Sequence, residues 1–97
     1  MQKDTMSFCI SLLTEERPMG LDYAKALALV AEDEWDAAHK LVQGHDDELA
    51  CLIHGYLHRI EGDLDNAAYW YRHAGTTLPD NTLDEEHGRL SGRIAAP

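Results

Sequence analysis

The period of the apolar residues between positions 47 and 79 limits the fold of this chain more than any other feature of its sequence. On a helix that turns 100° per residue, the first half of the stretch places six apolar side chains on one face, namely Leu49, Leu52, Ile53, Tyr56, Leu57 and Ile60. The second half does the same with Leu64, Ala67, Ala68, Tyr71, Ala74 and Leu78. Between them Gly62 is a helix stop and Asp63 an N-cap, and Pro79 ends the second helix. We therefore expect two helices folded into a hairpin over residues 47–78.

A weaker copy of this pattern precedes it. Residues 21–43 hold two stretches of good helix formers joined by an acidic turn. The segment Glu32–Ala38 aligns with Gly62–Ala68, at an offset of 62 minus 32, or 30, residues. The sequence therefore predicts a degenerate hairpin over residues 21–43, and its acidic turn is more simply a helix start than a cation site.

Shorter helices are expected at both ends of the chain. Asp4 or Thr5 can cap an N-terminal helix over residues 5–15, which would cover the exposed apolar side of the first hairpin. A C-terminal helix over residues 82–94 carries an apolar stripe made of Leu83, His87, Leu90 and Ile94. The 97 residues are thus expected to form one all-α domain, a right-handed stack of two antiparallel helical hairpins between short capping helices.

Several residues of the second hairpin stand at the spacings of a known repeat. The small, turn, aromatic and closing positions of the tetratricopeptide repeat are matched by Gly55, Gly62, Ala67, Tyr71, Ala74 and Pro79. The segment Asn66–Ala74 also resembles the second helix of the related Sel1-type repeat. The chain departs from the tetratricopeptide pattern at Cys51 and His58, where that pattern has aromatic residues. The resemblance, over a unit of ~34 residues, implies a repeat protein that binds proteins or peptides.

The charge of the chain limits its partners. It has 18 acidic and 8 basic residues, a formal net charge of −10. This balance argues against nucleic acid and anionic membranes, because phosphates are bound by clustered Lys and Arg. The acidity most simply keeps the protein soluble. Two alternatives are an acidic face for a basic partner, and an acidic decoy that occupies a nucleic-acid-binding protein and lets go at high salt.

Cysteine usage and hydropathy bear on the compartment. Cys9 and Cys51 form no CxxC pair, which fits buried thiols in a reducing cytoplasm. The apolar run at residues 8–13 is too short for a signal peptide, and no stretch approaches the ~20 apolar residues of a membrane span. We therefore expect a cytoplasmic protein.

Six histidines in so short a chain raise the question of a metal site. His54 and His58 are four residues apart on one predicted helix, and Glu61 follows on the same side, so two imidazoles and a carboxylate can converge on an ion. The alternative is that these histidines are packing groups or surface residues. In the tetratricopeptide-like register the two histidines face the partner helix of their own hairpin, whereas the apolar stripe faces the other way. Both faces of this helix can be buried if it lies between the first hairpin and the partner helix of its own hairpin.

Candidate partner-binding residues fall on both helices of the second hairpin. Tyr69, Trp70 and His73 lie away from the predicted packing face, and exposed aromatic clusters are typical of interfaces. The alternative for Trp70 is that the final helix covers it. By similarity to the groove of tetratricopeptide proteins, Tyr56 and Arg59 belong to the inner surface of the stack. In the alternative assignment, Tyr56 is part of the hydrophobic core and Arg59 forms an internal salt bridge with an Asp or Glu residue.

Enzyme signatures are missing from the sequence. It contains no Gly-rich phosphate loop, no GxSxG elbow and no calcium-binding loop, so we expect neither enzyme activity nor a cofactor. The leading hypothesis is a small protein- or peptide-binding helical-repeat module, and a homodimer would cover its exposed hairpin faces. The second is a metal-dependent site at His54, His58 and Glu61, and the third is the acidic decoy.

Overall fold

The computed structural model describes residues 22–95. They form five α-helices: α1 (Tyr23–Ala31), α2 (Trp35–Val42), α3 (Glu48–Ile60), α4 (Leu64–His73) and α5 (Leu83–Ala95). Every regular element in this range is helical, which confirms the predicted all-α class for the described residues. None of these five helices has both the length and the apolar character needed to cross a bilayer. Cys9 and the predicted capping helix over residues 5–15 lie outside the described range.

Helix α3 is the centre of the packing. It contacts each of the other four helices, and residues 50–58 within it are all buried. Helix α1 packs on α2, and α3 packs on α4, in each case across a three-residue turn. Helix α5 lies against both α1 and α3. The central helix therefore has neighbours on several sides, which explains why its polar residues His54 and His58 are buried along with its apolar ones.

Short polar side chains cap four of the five described helices, the exception being α2. Asp22, Asp47 and Asp63 each accept a hydrogen bond from the backbone N–H three residues later, at 3.0, 3.2 and 3.3 Å. At the start of α5, the Thr82 hydroxyl and the Glu85 carboxylate each accept from the other residue's backbone N–H, which makes a capping box. The starts of these four helices are thus local properties of the sequence.

Helix α4 ends earlier than the apolar period predicts. The period continues to Leu78, but the helix ends at His73 because Gly75 adopts a φ of 92°. The Thr76 N–H then donates to the Tyr71 carbonyl at 3.0 Å, which closes the helix in a Schellman motif. The chain from there to α5 is non-helical.

Two residues predicted for the buried faces of the second hairpin lie at the surface instead, as does Leu83 of the stripe predicted for the last helix. Ile60 is 36% exposed and Leu64 is 53% exposed. Ile60 is the last residue of α3 and Leu64 is the first residue of α4, so both stand beside the turn at 61–63, at the edge of the helix pair. The period of an isolated helix does not reveal where its neighbour ends.

The close packing of α3 on α4 depends on Gly55. A Cβ atom on this residue would lie 2.8 Å from two ring carbons of Tyr71 and 3.2 Å from the backbone oxygen of Ala67. Tyr71 and Ala67 are both fully buried, so the surrounding core resists any movement of the ring. Small residues bring these two helices together, as the sequence predicts, and Gly55 is the one with no room for a side chain.

Four positions of the first helix pair match four positions of the second. The matching residues are Asp33 and Gly62 with positive φ, Trp35 and Leu64 at the helix starts, Ala38 and Ala67 fully buried, and Val42 and Tyr71 fully buried. Each match has the same offset, for example 67 minus 38, or 29, residues. This is one residue fewer than the offset of 30 from the sequence alignment, because the turns rather than the Ala-Ala pairs set the register.

A buried carboxylate holds α5 to the α3–α4 pair. Glu86 is fully buried, and its two oxygens accept hydrogen bonds of 2.7–2.8 Å from Tyr71, Asn81 and Arg89. Arg59 of α3 donates to the Asn81 side-chain oxygen at 2.9 Å and also to the Asn81 backbone oxygen. The network thereby connects α3, α4, the segment between α4 and α5, and α5 itself.

Candidate functional site: a histidine cluster beside an aromatic helix face

The histidine cluster consists of His39 from α2 and His54 and His58 from α3. One ring nitrogen from each residue lies within 4.8 Å of those from the other two. The closest approach is 3.1 Å, between Nε2 of His39 and Nε2 of His54. His54 and His58 are only 4% and 7% exposed, whereas His39 is half-buried. The cluster therefore lies between α2 and α3 and reaches solvent at His39.

Both tryptophans of the chain pack on this cluster. The Trp35 ring stacks on His39 with centroids 4.8 Å apart, and Trp70 of α4 stacks on His54 at 3.9 Å. The Trp35 indole N–H also donates to the Leu57 carbonyl at 2.8 Å, which fixes the orientation of the ring. The imidazoles therefore have apolar aromatic walls on two sides.

Hydrogen bonding determines part of the protonation of the cluster. Oε1 of Glu61 lies 2.5 Å from Nδ1 of His58. Because an ionised carboxylate is only an acceptor, Nδ1 donates the proton, and in the neutral imidazole Nε2 keeps its lone pair. Between His39 and His54, one Nε2 atom has to donate to the other. In either arrangement Nδ1 of His54 is buried and has no hydrogen-bond partner among the described residues.

Electrostatics favours the neutral form of these rings. Burial, followed by the neighbouring His39 and His58, lowers the pKa of His54 to about 4. Burial and His58 also lower the pKa of His39, although Glu61 and Asp36 act in the opposite direction. Both rings are therefore neutral at pH 7, the form in which imidazole binds metal ions.

The structure arranges the predicted metal ligands differently from the sequence prediction. His54 and His58 come together, but Glu61 bonds to Nδ1 of His58, and His39 is the third imidazole of the cluster. A second grouping, of His58, Glu61 and Asp63, also has ligand atoms within 4.8 Å of one another, but Glu61 and Asp63 are exposed there.

Sequence reasoning did not find His39. It lies 15 residues before His54 and belongs to the weaker helix pair, so its position depends on how the two pairs pack. A local signal was present nonetheless: Trp35 and His39 are four residues apart on one helix, the spacing at which side chains stack.

Tyr69, Trp70 and His73 form a second feature, the α4 aromatic surface. The Tyr69 ring stacks on His73 with centroids 5.8 Å apart and meets Trp70 edge-on at 5.0 Å. Tyr69 is 48% exposed, His73 is exposed and Trp70 is half-buried. The sequence left open whether the last helix covers Trp70. Helix α5 packs mainly on α1 and α3, and the stacking partner of Trp70 is His54.

The other two predicted partner-binding residues have internal contacts. Tyr56 is 4% exposed and belongs to the core cluster, in agreement with its alternative assignment. Arg59 is half-buried and donates to Asn81, so its partner is an amide and a backbone carbonyl rather than a carboxylate. The contacts of both residues are therefore within the fold.

An apolar groove of about 400 Å³ runs between α1 and α5. It is lined by Ala24, Leu27, Ala28, Ala31, His87, Ser91, Ile94 and Ala95. A neighbouring depression of about 390 Å³ shares Ala31 and His87 and adds Tyr56 and Asp84 to the lining. This groove is on α1 and α5, whereas the histidine cluster is built from α2 and α3, with Trp70 from α4 against it.

Comparison with known proteins gave no relative of this chain. No protein-family model matches it, and neither a curated protein nor a solved structure does.

Proposed function

We propose that this chain is a non-enzymatic helical-repeat module that binds a basic protein segment through the α4 aromatic surface. The observation that carries the proposal is the contact of Tyr69, Trp70 and His73 with one another on α4, where Tyr69 and His73 are exposed and Trp70 is half-buried. Aromatic side chains supply much of the binding energy in protein interfaces, and large exposed aromatic groups at adjacent positions are a feature of such sites.

The fold is consistent with a repeat module related to the tetratricopeptide type. Support comes from the constant offset of 29 residues between the two helix pairs, 67 minus 38 for the buried alanines, and from the tight approach of α4 at Gly55. We regard the pairs as two antiparallel hairpins in a right-handed stack, of which the first is degenerate. A stack of this kind leaves the outer face of its last helix pair available for a partner.

Charge determines the chemistry that we assign to the partner. The chain has a net charge of −10, and acidic residues Glu61, Asp63 and Asp65 precede or begin α4. Asp65 lies one helical turn before Tyr69, so a carboxylate and an aromatic ring are neighbours on the helix surface. A segment rich in Lys or Arg can bind to both groups, because a cationic side chain can pair with the carboxylate and also lie over the aromatic ring. The buried Cys51 thiol supports a reducing, cytoplasmic location.

Nuclear magnetic resonance with two matched peptides tests this proposal. The labelled protein is titrated with an amphipathic peptide of Lys and Leu and with its Glu and Leu counterpart. We expect saturable shifts at residues 65–73 and at the Trp70 indole with the basic peptide alone. A double variant, Tyr69→Ala with His73→Ala, should weaken binding by roughly tenfold or more. Leu83→Ala, at another exposed apolar position, is the control and should bind like the unaltered protein.

Three results would contradict the assignment. Absence of saturable binding removes the proposed function. Shifts along the apolar groove between α1 and α5 retain peptide binding but place it on another surface. Concentration-dependent shifts without peptide indicate that a second copy of the chain is the partner, which light scattering would confirm as a homodimer.

A further inference from the structure

The geometry of the histidine cluster points to a second kind of ligand, separate from the peptide. We propose that His39, His54 and His58 bind one divalent transition-metal ion, with Zn²⁺ as the reference, and leave a fourth coordination position for water or an external ligand. This proposal does not depend on the peptide-binding function, because it uses residues of α2 and α3 beneath the α4 aromatic surface.

The spacing of the ring nitrogens fits a small tetrahedral ion. Zinc is bound by imidazole nitrogen at about 2.0–2.1 Å, which places two ligand nitrogens of a tetrahedron about 3.3–3.4 Å apart. The Nε2 atoms of His39 and His54 are 3.1 Å apart, within a few tenths of an ångström of that spacing. The third imidazole, His58, offers a ring nitrogen within 4.8 Å of one ring nitrogen on each of the other two residues.

The outer contacts of His58 resemble the support that metal ligands receive. A histidine that binds a metal through one nitrogen commonly donates its other N–H to a carboxylate, which fixes the ring and its tautomer. Glu61 accepts from Nδ1 of His58 in this way, and in the neutral ring Nε2 then keeps its lone pair. In this arrangement Glu61 orients a ligand, whereas the sequence alone assigned it to the ion.

The hydrogen bonds within the fold leave His54 incompletely satisfied. Its Nε2 atom shares a single hydrogen bond with His39, and its Nδ1 atom is buried without a partner among the described residues. An unsatisfied buried polar atom costs about 1–3 kcal/mol, and an apolar residue in its place would avoid that cost. Coordination at Nε2 would replace the hydrogen bond to His39 and place the proton of the neutral ring on Nδ1, so the metal–nitrogen bond has to offset the cost of that unpaired N–H.

The surroundings suit an accessible rather than a sealed site. Trp35 and Trp70 cover the rings of His39 and His54, whereas His39 itself is half-buried, so an ion can enter from the side of α2. Three imidazoles with one open position form a ligand set that binds Zn²⁺ and, by the general order of stability, Cu²⁺ more tightly.

Calorimetric titration of the full chain with Zn²⁺ tests the proposal, and Co²⁺ absorption reports the geometry. We expect one ion per chain and a tetrahedral Co²⁺ spectrum. His39→Ala should weaken binding by more than about 100-fold, whereas Glu61→Ala, which removes only the orienting carboxylate, should cost about 10–100-fold. His45→Ala, outside the cluster and outside the α4 aromatic surface, is the matched control and should leave the dissociation constant unchanged.

The variants also separate the proposal from its rivals. Circular dichroism with a chelator present establishes that each variant is folded, and His39→Gln replaces His39→Ala if the latter unfolds. Unchanged binding in the folded His39 variant, together with loss in Asp63→Asn, would assign the ion to the exposed His58, Glu61 and Asp63 grouping and overturn the proposal. Lack of a saturable heat with Zn²⁺ would also overturn it.

Discussion

The Tyr71 hydroxyl donates a 2.8 Å hydrogen bond to Oε2 of Glu86, and both side chains are fully buried. Tyr71 lies on α4 and Glu86 on α5, so this bond joins the second helix pair to the last helix. The same tyrosine ring packs against Gly55 of α3. One aromatic residue therefore fixes both the closeness of the α3–α4 pair and the position of α5.

Replacement of Glu86 by glutamine should destabilise the fold. The variant loses the charge that accepts two hydrogen bonds from Arg89, and its amide NH₂ group faces donors instead of acceptors. We expect the free energy of unfolding in urea to fall by about 2–3 kcal/mol at pH 7. Glu85→Gln is the control, because glutamine also serves at the third position of a capping box, and it should change stability by less than about 0.5 kcal/mol. Equal effects of the two substitutions would contradict the role of Glu86.

The same carboxylate gives the stability a defined pH dependence. Burial alone would raise the pKa of Glu86, but hydrogen bonds from Arg89, Asn81 and Tyr71 outweigh it and hold that pKa below the ordinary value. The stabilisation is therefore complete above the unfolded-state pKa of about 4.3 and is lost as pH falls through the lower folded-state pKa. Urea unfolding of the unaltered chain and of Glu86→Gln should differ by a constant amount from pH 7 to about pH 5, and the difference should shrink below about pH 4. If the difference in the free energy of unfolding grows at low pH, the pKa of Glu86 is raised rather than lowered by folding.

Two glycine substitutions test the close approach of α3 and α4. Gly55→Ala places a Cβ atom 2.8 Å from the buried Tyr71 ring, and we expect a loss of about 1–3 kcal/mol in the free energy of unfolding. Gly88 is also within a helix, but a Cβ atom there meets no atom within 4 Å. Gly88→Ala should therefore stabilise the fold by about 0.5–1 kcal/mol. Stabilisation by both substitutions would mean that the two helices are farther apart than described.

Substitution of Arg59 distinguishes a structural role within the fold from a role in partner binding. Its guanidinium donates to Asn81, so Arg59→Ala should lower the free energy of unfolding by about 1–3 kcal/mol. Arg72→Ala, at an exposed position on α4, is the control and should stay within about 0.5 kcal/mol of the unaltered chain. If Arg59→Ala leaves stability unchanged and weakens peptide binding, the residue belongs to the interface that the sequence proposed for it.

The helical period and the caps were readable from the sequence because both are local. Asp47 and Asp63 stand where helices begin, and the buried positions of Tyr71 and Ala67 follow from the apolar period. The apolar period predicts the wrong end for α4, because it continues as far as Pro79. The helix ends earlier, since Gly75 adopts a positive φ four residues before the proline.

The buried polar residues could not be predicted from the sequence in the same way. Glu86 is charged and lies outside the apolar period of its helix, so the sequence pattern does not indicate that it is buried. Its complete burial depends on hydrogen bonds from Tyr71 and Asn81, which come from other segments. A partial signal is the spacing of Glu86 and Arg89, three residues apart on one helix, which permits their ion pair. His39 likewise enters the cluster only because α2 packs on α3.

The packing of the His54 ring against Trp70 of the α4 aromatic surface and His39 of the histidine cluster is the relationship that connects the two candidate sites. Nuclear Overhauser spectroscopy of the labelled protein measures it directly. Ring centroids 3.9 Å apart for Trp70 and His54, and 4.7 Å apart for His39 and His54, predict cross-peaks from the His54 ring to both neighbours. Assigned ring protons of His54 that show no cross-peak to either Trp70 or His39 would contradict the arrangement and both functions inferred from it.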